Sequence, residues 1–125
     1  MLIDSDVLIW LTRGHVGAAQ RLSTLLPWRI SVVTYIELMQ GCRDKVELTR
    51  LKKGLAARNT EVLQITPAIS QRAAELVEDL ALSHGMRLAD ALIGATAGEH
   101  GISLLTANAK HFGVITGSQI DVFAP

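Results

Sequence analysis

Three carboxylates lie far apart in the sequence, each beside a run of apolar residues. Asp4 follows Met-Leu-Ile, Glu37 comes a few residues after Ile-Ser-Val-Val, and Asp90 lies near the start of a helix rich in small residues. Acids among Ile, Val, Leu and Ala are costly to bury unless a partner compensates their charge. A divalent cation satisfies several carboxylates at once, because hard cations take oxygen ligands. The three acids therefore predict a cation site of the kind used in phosphodiester hydrolysis.

Other polar residues follow the predicted strands and extend this site. Asp4 and Asp6 form an Asp-Ser-Asp segment, and alternate side chains of an extended segment share one face, so both can reach one site. Thr106-Ala107-Asn108 follows a late apolar strand, where the Asn108 carbonyl oxygen can help to hold a metal or its water. An ordinary turn or helix-capping role for Asn108 stays open.

Each acid also has a structural alternative. Asp4 or Asp6 can cap the helix expected to begin near Val7. Thr34-x-x-Glu37 has the spacing of a capping box, in which the glutamate bonds back to its own helix N-terminus. Asp90 lies in a first helical turn, where the macrodipole favours an anion. Taken one at a time, the acids therefore do not show whether they cap helices or bind a catalytic cation.

The elements that must position these residues are short apolar strands alternating with amphipathic helices. The pattern predicts strands at 2–5, 29–32, 61–65, 102–105 and 120–122, and helices at 7–11, 16–26, 34–42, 45–58, 67–84 and 88–100. Such alternation indicates an α/β domain whose parallel sheet is covered by helices on both faces. In sheets of this kind ligands bind beyond the carboxyl ends of the strands, where Asp4 and the turn from Thr106 to Asn108 fall.

Composition limits the class of protein. The chain has 125 residues, 49% of them hydrophobic, which suits one domain over residues 1–125 with a substantial core. The chain has 12 Lys and Arg residues and 12 Asp and Glu residues, so its net charge is zero and gives no indication of a nucleic-acid partner. With Cys42 as the single cysteine and no long apolar run, we expect a cytoplasmic protein without a membrane span.

Four segments, taken in order, resemble the motifs of PIN-domain ribonucleases, and most closely those of VapC-type toxins of bacterial type II toxin–antitoxin systems. The segments are Leu2 to Ile9, Ser31 to Leu38, Leu88 to Ala97 and Leu104 to Phe112. The resemblance covers nearly the whole chain. It implies a PIN-like three-layer α/β/α domain with a central, mostly parallel sheet of four to five strands.

The resemblance also implies roles for individual residues. Asp4, Glu37 and Asp90 become the acids of a Mg²⁺ site in which Mn²⁺ can substitute, and Asn108 joins them as the fourth catalytic position. Many relatives have an acid where this chain has Asn108, and some have aspartate at the position of His111, so a second metal is less strongly expected. Asp6 and Thr106 are candidates for an additional ligand or a supporting contact.

Substrate and partners are implied in the same way. RNA would be hydrolysed in line, with Arg13, Arg43 and Arg87 as candidate RNA contacts, although basic residues at 43–58 are also typical of a solvated helix face. A small cognate antitoxin and a homodimer are the expected assemblies.

Two other functions stay open on sequence. Asp-x-Asp after an apolar strand also resembles haloacid dehalogenase-type phosphatases, although the chain is short for their full set of motifs. The neutral Asn108 also fits a catalytically silent PIN-fold binding module.

Overall fold

A computed structural model gives the fold of residues 1–115 and 117–125, which form five strands and seven helices. The strands are β1 (Leu2–Ile3), β2 (Arg29–Ser31), β3 (Glu61–Leu63), β4 (Leu104–Thr106) and β5 (Ile120–Val122). The helices are α1 (Ser5–Thr12), α2 (Val16–Ser23), α3 (Val32–Gln40), α4 (Lys45–Ala57), α5 (Pro67–His84), α6 (Leu88–His100) and α7 (Ala109–Phe112).

Every strand pairing within these residues is parallel, but the strands do not form one continuous hydrogen-bonded sheet. One sheet has the order β1-β4-β5, and β2 and β3 form a separate pair. β1 also lies against β2, so the pair adjoins the edge of the larger sheet. The predicted parallel strands are confirmed, while the predicted single sheet is divided into three strands and two.

Helices cover both faces of the strands, because neighbouring strand residues point in opposite directions. Leu2 and Leu104 pack with α5 and α6 in one apolar cluster, whereas Ile3 and Leu105 pack with α1 and α2 in another. Both clusters are closed to solvent, with all four strand residues at most 2% exposed. This is the predicted three-layer α/β/α arrangement.

The long helices begin and end where their capping residues predict. The Thr66 hydroxyl accepts from the Ile69 amide at the start of α5, Pro67 follows it, and Gly85 ends the helix in the left-handed conformation with φ of 67°. Gly101 ends α6 in the same way with φ of 62°. No helix within the described residues is long and apolar enough to cross a membrane.

Several predicted boundaries were wrong by a few residues. α1 begins at Ser5 rather than Val7, and α2 ends at Ser23 rather than at residue 26. The third predicted helix begins at Val32, not Thr34, because the Ser31 hydroxyl accepts from the Val33 amide as its N-cap. The short helix α7 was not predicted at all.

Close packing between α6 and the α7 segment depends on Gly94. A Cβ atom at Gly94 would lie 2.6 Å from Cδ1 of Ile115 and 3.6 Å from Cδ1 of Phe112. The absence of a side chain at Gly94 therefore permits this close approach, and it brings α7 onto the face of α6 that also carries Asp90, four residues earlier.

Candidate active site

Asp4 is buried at the point where β1 passes into α1. It is the N-cap of α1, with Oδ1 accepting from the Ser5 amide at 2.8 Å, and only 6% of the residue is exposed. Its other oxygen, Oδ2, accepts from the Thr106 hydroxyl at 2.8 Å. The capping alternative is therefore correct for Asp4, but capping uses one carboxylate oxygen and leaves the second turned toward the end of β4.

Asp6 lies beside Asp4 and is held by the same turn after β4. Its Oδ2 accepts from the Ala107 amide at 3.2 Å and lies 3.4 Å from the Thr106 hydroxyl. Its Oδ1 is the only buried side-chain nitrogen or oxygen in residues 1–115 and 117–125 without a hydrogen-bond partner. A buried carboxylate oxygen without a partner is costly, and a cation would compensate it.

The two neighbouring carboxylates change the proton affinity of Asp4. Burial raises the pKa of Asp4 from its ordinary 3.8 to about 7, and repulsion from Asp6 adds to the rise. Hydrogen bonds from Thr106 and the Ser5 amide oppose it. The raised pKa of Asp4 thus has desolvation as its main cause.

Glu37 reaches the site through Ser5. The Ser5 hydroxyl donates to Oε1 of Glu37 at 2.7 Å and lies 3.4 Å from the hydroxyl of Thr34. Glu37 does not bond back to the N-terminus of α3, so the capping-box alternative is wrong. The residue is exposed, which also corrects the premise that apolar neighbours bury it.

Asp90 belongs to a second group of polar side chains, on α6 and α7. Its Oδ2 lies 3.0 Å from Nδ1 of His111, and that nitrogen lies 3.1 Å from the side-chain amide of Asn108. The side chains of Asp90 and His111 are 23% and 42% exposed. Asp90 lies in the first turn of α6 as predicted, but its partner is a histidine.

The turn from Thr106 to His111 joins the two groups. The Thr106 hydroxyl donates to Asp4 and accepts from the Asn108 amide at 2.9 Å, and the Asn108 side chain contacts His111. One hydrogen-bonded network therefore connects all four residues predicted to be catalytic. In order along the network they and their connectors are Glu37, Ser5, Asp4, Thr106, Asn108, His111 and Asp90.

Oxygen donors of this kind suit a hard divalent cation, and the unpartnered Asp6 oxygen beside Asp4 is where the fit is best. The described residues hold no group of three or more His, Cys, Asp or Glu side chains already gathered around one point as a metal cage. Bridging hydroxyls, amides and an imidazole separate Glu37 and Asp90 from the Asp4–Asp6 pair. The residues present therefore fit a cation at the pair. In the network, Ser5 alone separates Glu37 from Asp4, whereas Thr106, Asn108 and His111 separate Asp90 from it.

The three arginines predicted to contact RNA differ in their surroundings. The Arg43 guanidinium forms an ion pair with Glu47 at 2.9 Å and is 87% exposed on the side chain. The Arg13 guanidinium lies 5.9 Å from the centre of the Trp10 ring. Arg87 is exposed at the N-cap position of α6, three residues before Asp90. Of the three arginines, it is therefore the one next to a helix that carries an acid of the site.

Sequence reasoning missed two connectors. Ser5 lies between the two aspartates, and its hydroxyl reaches α3, a contact over 32 positions that local pattern does not reveal. His111 was noted only as a departure from aspartate, whereas it contacts Asp90. The signal that could have found it is the spacing of Asn108 and His111 across one helical turn.

Comparisons with known proteins identify the family and the fold. The model of the PIN domain family matches residues 1–115. A toxin–antitoxin complex from Klebsiella pneumoniae contains a chain 30% identical, with a TM-score of 0.80 over 97% of this chain and 95% of that one. VapBC-1 from nontypeable Haemophilus influenzae gives 26% identity and a TM-score of 0.78, over 97% of this chain and 96% of that one.

A more distant structure shares the fold. VapBC2 from Rickettsia felis, bound to a DNA fragment from its promoter, is 17% identical, with a TM-score of 0.81 and 98% of both chains covered. Comparison with curated proteins gives no match. This chain therefore belongs to the PIN domain family, and the predicted similarity to VapC-type toxin nucleases is confirmed.

Proposed function

We propose that this protein is a Mg²⁺-dependent endoribonuclease and the toxin of a type II toxin–antitoxin pair. The observation that carries the proposal is the single network that runs from Glu37 through Asp4 to Asp90, with an unpartnered buried oxygen on Asp6. The PIN family match does not support the phosphatase alternative.

Asp4 and Asp6 are the residues best suited to hold the cation, with Asp90 and Glu37 completing the set. When bound, Mg²⁺ supplies a Lewis acid for the phosphodiester and an activated water for in-line attack. A cation at the pair also compensates the burial of Asp4, which is the main cause of its raised pKa, and relieves the repulsion from Asp6 that adds to it. Asp6 can thus supply a negatively charged ligand that the neutral Asn108 does not.

The remaining residues orient these groups. Thr106 fixes Oδ2 of Asp4 and, through the Asn108 amide, the start of the α7 turn. The Ser5 hydroxyl holds Oε1 of Glu37, which leaves Oε2 of an exposed carboxylate to orient the attacking water and accept its proton. Arg87, with Arg13 and Arg43, supplies positive charge for the RNA backbone.

The decisive experiment compares RNA cleavage by the wild type with Asp4→Ala and Asp90→Ala. Cleavage should require Mg²⁺ or Mn²⁺, stop with a chelator, and fall by about 10³-fold in either variant, since metal stabilisation is worth several kcal/mol. Ser118→Ala, which removes a hydroxyl bonded to Phe112 and Ile115 carbonyls, is a control outside the network. Full activity in both aspartate variants would exclude this site.

Calorimetry with Mn²⁺ separates an enzyme from a silent binding module. The wild type should bind Mn²⁺, and Asp6→Asn should lose most of the affinity while keeping an acceptor for the Ala107 amide. A wild type that neither binds Mn²⁺ nor cleaves RNA would indicate the silent module.

The partners follow from the relatives. The Klebsiella structure is a toxin–antitoxin complex, which supports a small antitoxin for this chain as well. Co-expression with the product of an adjacent small gene should give a stable complex that lacks ribonuclease activity. Light scattering of the free toxin tests the proposed homodimer.

A further inference from the structure

We infer that His111 is a positioning residue for Asp90: its Nδ1–H donates to Oδ2 of Asp90 and fixes the carboxylate for its role in the site. The inference rests on the proposed function for its catalytic consequence. The contact itself rests on geometry alone, with 3.0 Å between the two atoms.

The packing of α7 on α6 sets this contact. Phe112 is fully buried and lies against the Gly94 position, while His111, one residue earlier, faces Asp90, one helical turn earlier. Phe112 thus anchors α7 so that the ring of His111 lies against the acid. The pairing follows from the position of α7 on α6, which places the partly exposed ring of His111 beside Asp90.

Hydrogen-bond chemistry determines which ring nitrogen carries the proton. A carboxylate oxygen only accepts, so Nδ1 must donate to Asp90. A nitrogen that donates cannot also accept from the Asn108 amide group, so the Asn108 carbonyl oxygen is the atom that suits the 3.1 Å contact, and it shares the single Nδ1–H with Asp90. The three side chains then form a consistent set, in which Asn108 supports His111 rather than the cation.

The hydrogen bond from His111 fixes the orientation of the Asp90 carboxylate. With Oδ2 held by His111, rotation of the carboxylate is restricted, and Oδ1 is left for another ligand. Hydrogen bonds to a ligating carboxylate of this kind commonly change metal affinity or activity by about 10- to 100-fold when they are removed.

The test uses three variants that separate the two ring nitrogens. In His111→Asn the side-chain amide can occupy the place of Nδ1, whereas in His111→Gln it corresponds to Nε2, and His111→Ala supplies neither. We expect kcat for Mg²⁺-dependent RNA cleavage to fall by about 10- to 100-fold in the Gln and Ala variants, with KM little changed, and to be largely retained in the Asn variant.

Nuclear magnetic resonance tests the geometry without reference to cleavage. In a long-range ¹H–¹⁵N spectrum at alkaline pH, His111 should carry its proton on Nδ1, and Asp90→Ala should remove that preference. His15 is an internal control, because its Nδ1 accepts from the Ala18 amide at 3.1 Å and its proton must therefore be on Nε2.

Wild-type kcat in the Gln and Ala variants, an effect confined to KM, or a His111 proton on Nε2 as in His15 would overturn the inference. If the wild type cleaves RNA and Asp90→Ala does not, such results leave the proposed function standing. A wild type without cleavage but with the Nδ1 proton on His111 would overturn the function and leave the Asp90–His111 bond.

Discussion

The Asp4–Asp6 pair and the Asp90–His111 pair solve the problem of a partly or fully buried acid in opposite ways. Asp4 is 6% exposed and faces a second carboxylate, with only neutral donors to offset the repulsion. The Asp90 side chain is 23% exposed and faces an imidazole. The first pair is therefore electrostatically unfavourable without a cation, whereas the second carries its own partner.

This difference suggests that the two pairs have different roles within one hydrogen-bonded network. In the proposed function, the aspartate pair would provide the affinity for a cation, because neutralising it relieves repulsion in a site shielded from water. The Asp90–His111 pair provides orientation, because its carboxylate is already held. Both depend on the turn after β4, where Thr106 contacts one pair and Asn108 contacts the other.

The largest effect on stability should be a pH dependence confined to the aspartate pair. The folded protein keeps the Asp4 proton up to about pH 7, whereas the unfolded chain releases it near 3.8. The free energy of unfolding should therefore fall by a few kcal/mol as the pH rises from about 4 to 7. The hydrogen bond from Arg43 lowers the pKa of Glu47, so Glu47 would make the protein more stable as the pH rises. This ion pair lies at the surface, where solvent screens it, so its contribution to the pH dependence is small.

Urea denaturation across this pH range measures that fall, and Asp4→Asn should abolish it while remaining a suitable helix N-cap. Asp90→Asn is the matched control and should leave the pH dependence in place. Mg²⁺ should stabilise the wild type more at pH 8 than at pH 5, because the cation and the Asp4 proton compete. An unchanged pH profile in Asp4→Asn would contradict the contrast between the two pairs.

A smaller effect should come from Thr106, which connects the pairs. Thr106→Val keeps the shape of this fully buried side chain but removes the donor to Asp4 and the acceptor for the Asn108 amide. We expect the free energy of unfolding to fall by about 1–3 kcal/mol.

Thr96→Val is the matched control for Thr106. Thr96 is equally buried, but its hydroxyl bonds only to the Leu92 carbonyl of its own helix. Its loss should cost less, since that carbonyl keeps its helical hydrogen bond. Equal costs for the two valine variants, measured by denaturant titration, would show that Thr106 does not hold the network together.

The smallest effect should be on RNA binding by the arginine beside the Asp90 pair. Arg87→Ala should weaken RNA binding, measured with chelator present to prevent cleavage, and lower the slope of log affinity against log salt by about 1. Arg43→Ala should change the slope less, because Glu47 already compensates Arg43. A slope lowered equally by both variants would indicate that RNA contacts the surface before the start of α4 as well as the surface near α6.

How far the sequence could predict this site depends on the range of the contacts. The N-cap role of Asp4 was predictable, because the apolar strand before it and the helix after it are local signals, and its role as a ligand stays a prediction. The α5 and α6 boundaries were predictable from Thr66, Pro67 and the terminal glycines for the same reason. The capping box at Thr34 was wrong because Ser31, three residues earlier, competed for the same role.

The sequence by itself determined the alternation of strands and helices, the parallel strands with helices on both faces, and the identity of the acids at the strand ends. Only the tertiary structure decided how those acids are connected. Ser5 reaches Glu37 over 32 positions, Thr106 reaches Asp4 over 102, and His111 reaches Asp90 over 21. Periodicity and capping act within a few residues, so they cannot specify contacts that arise only when the strands and helices pack together.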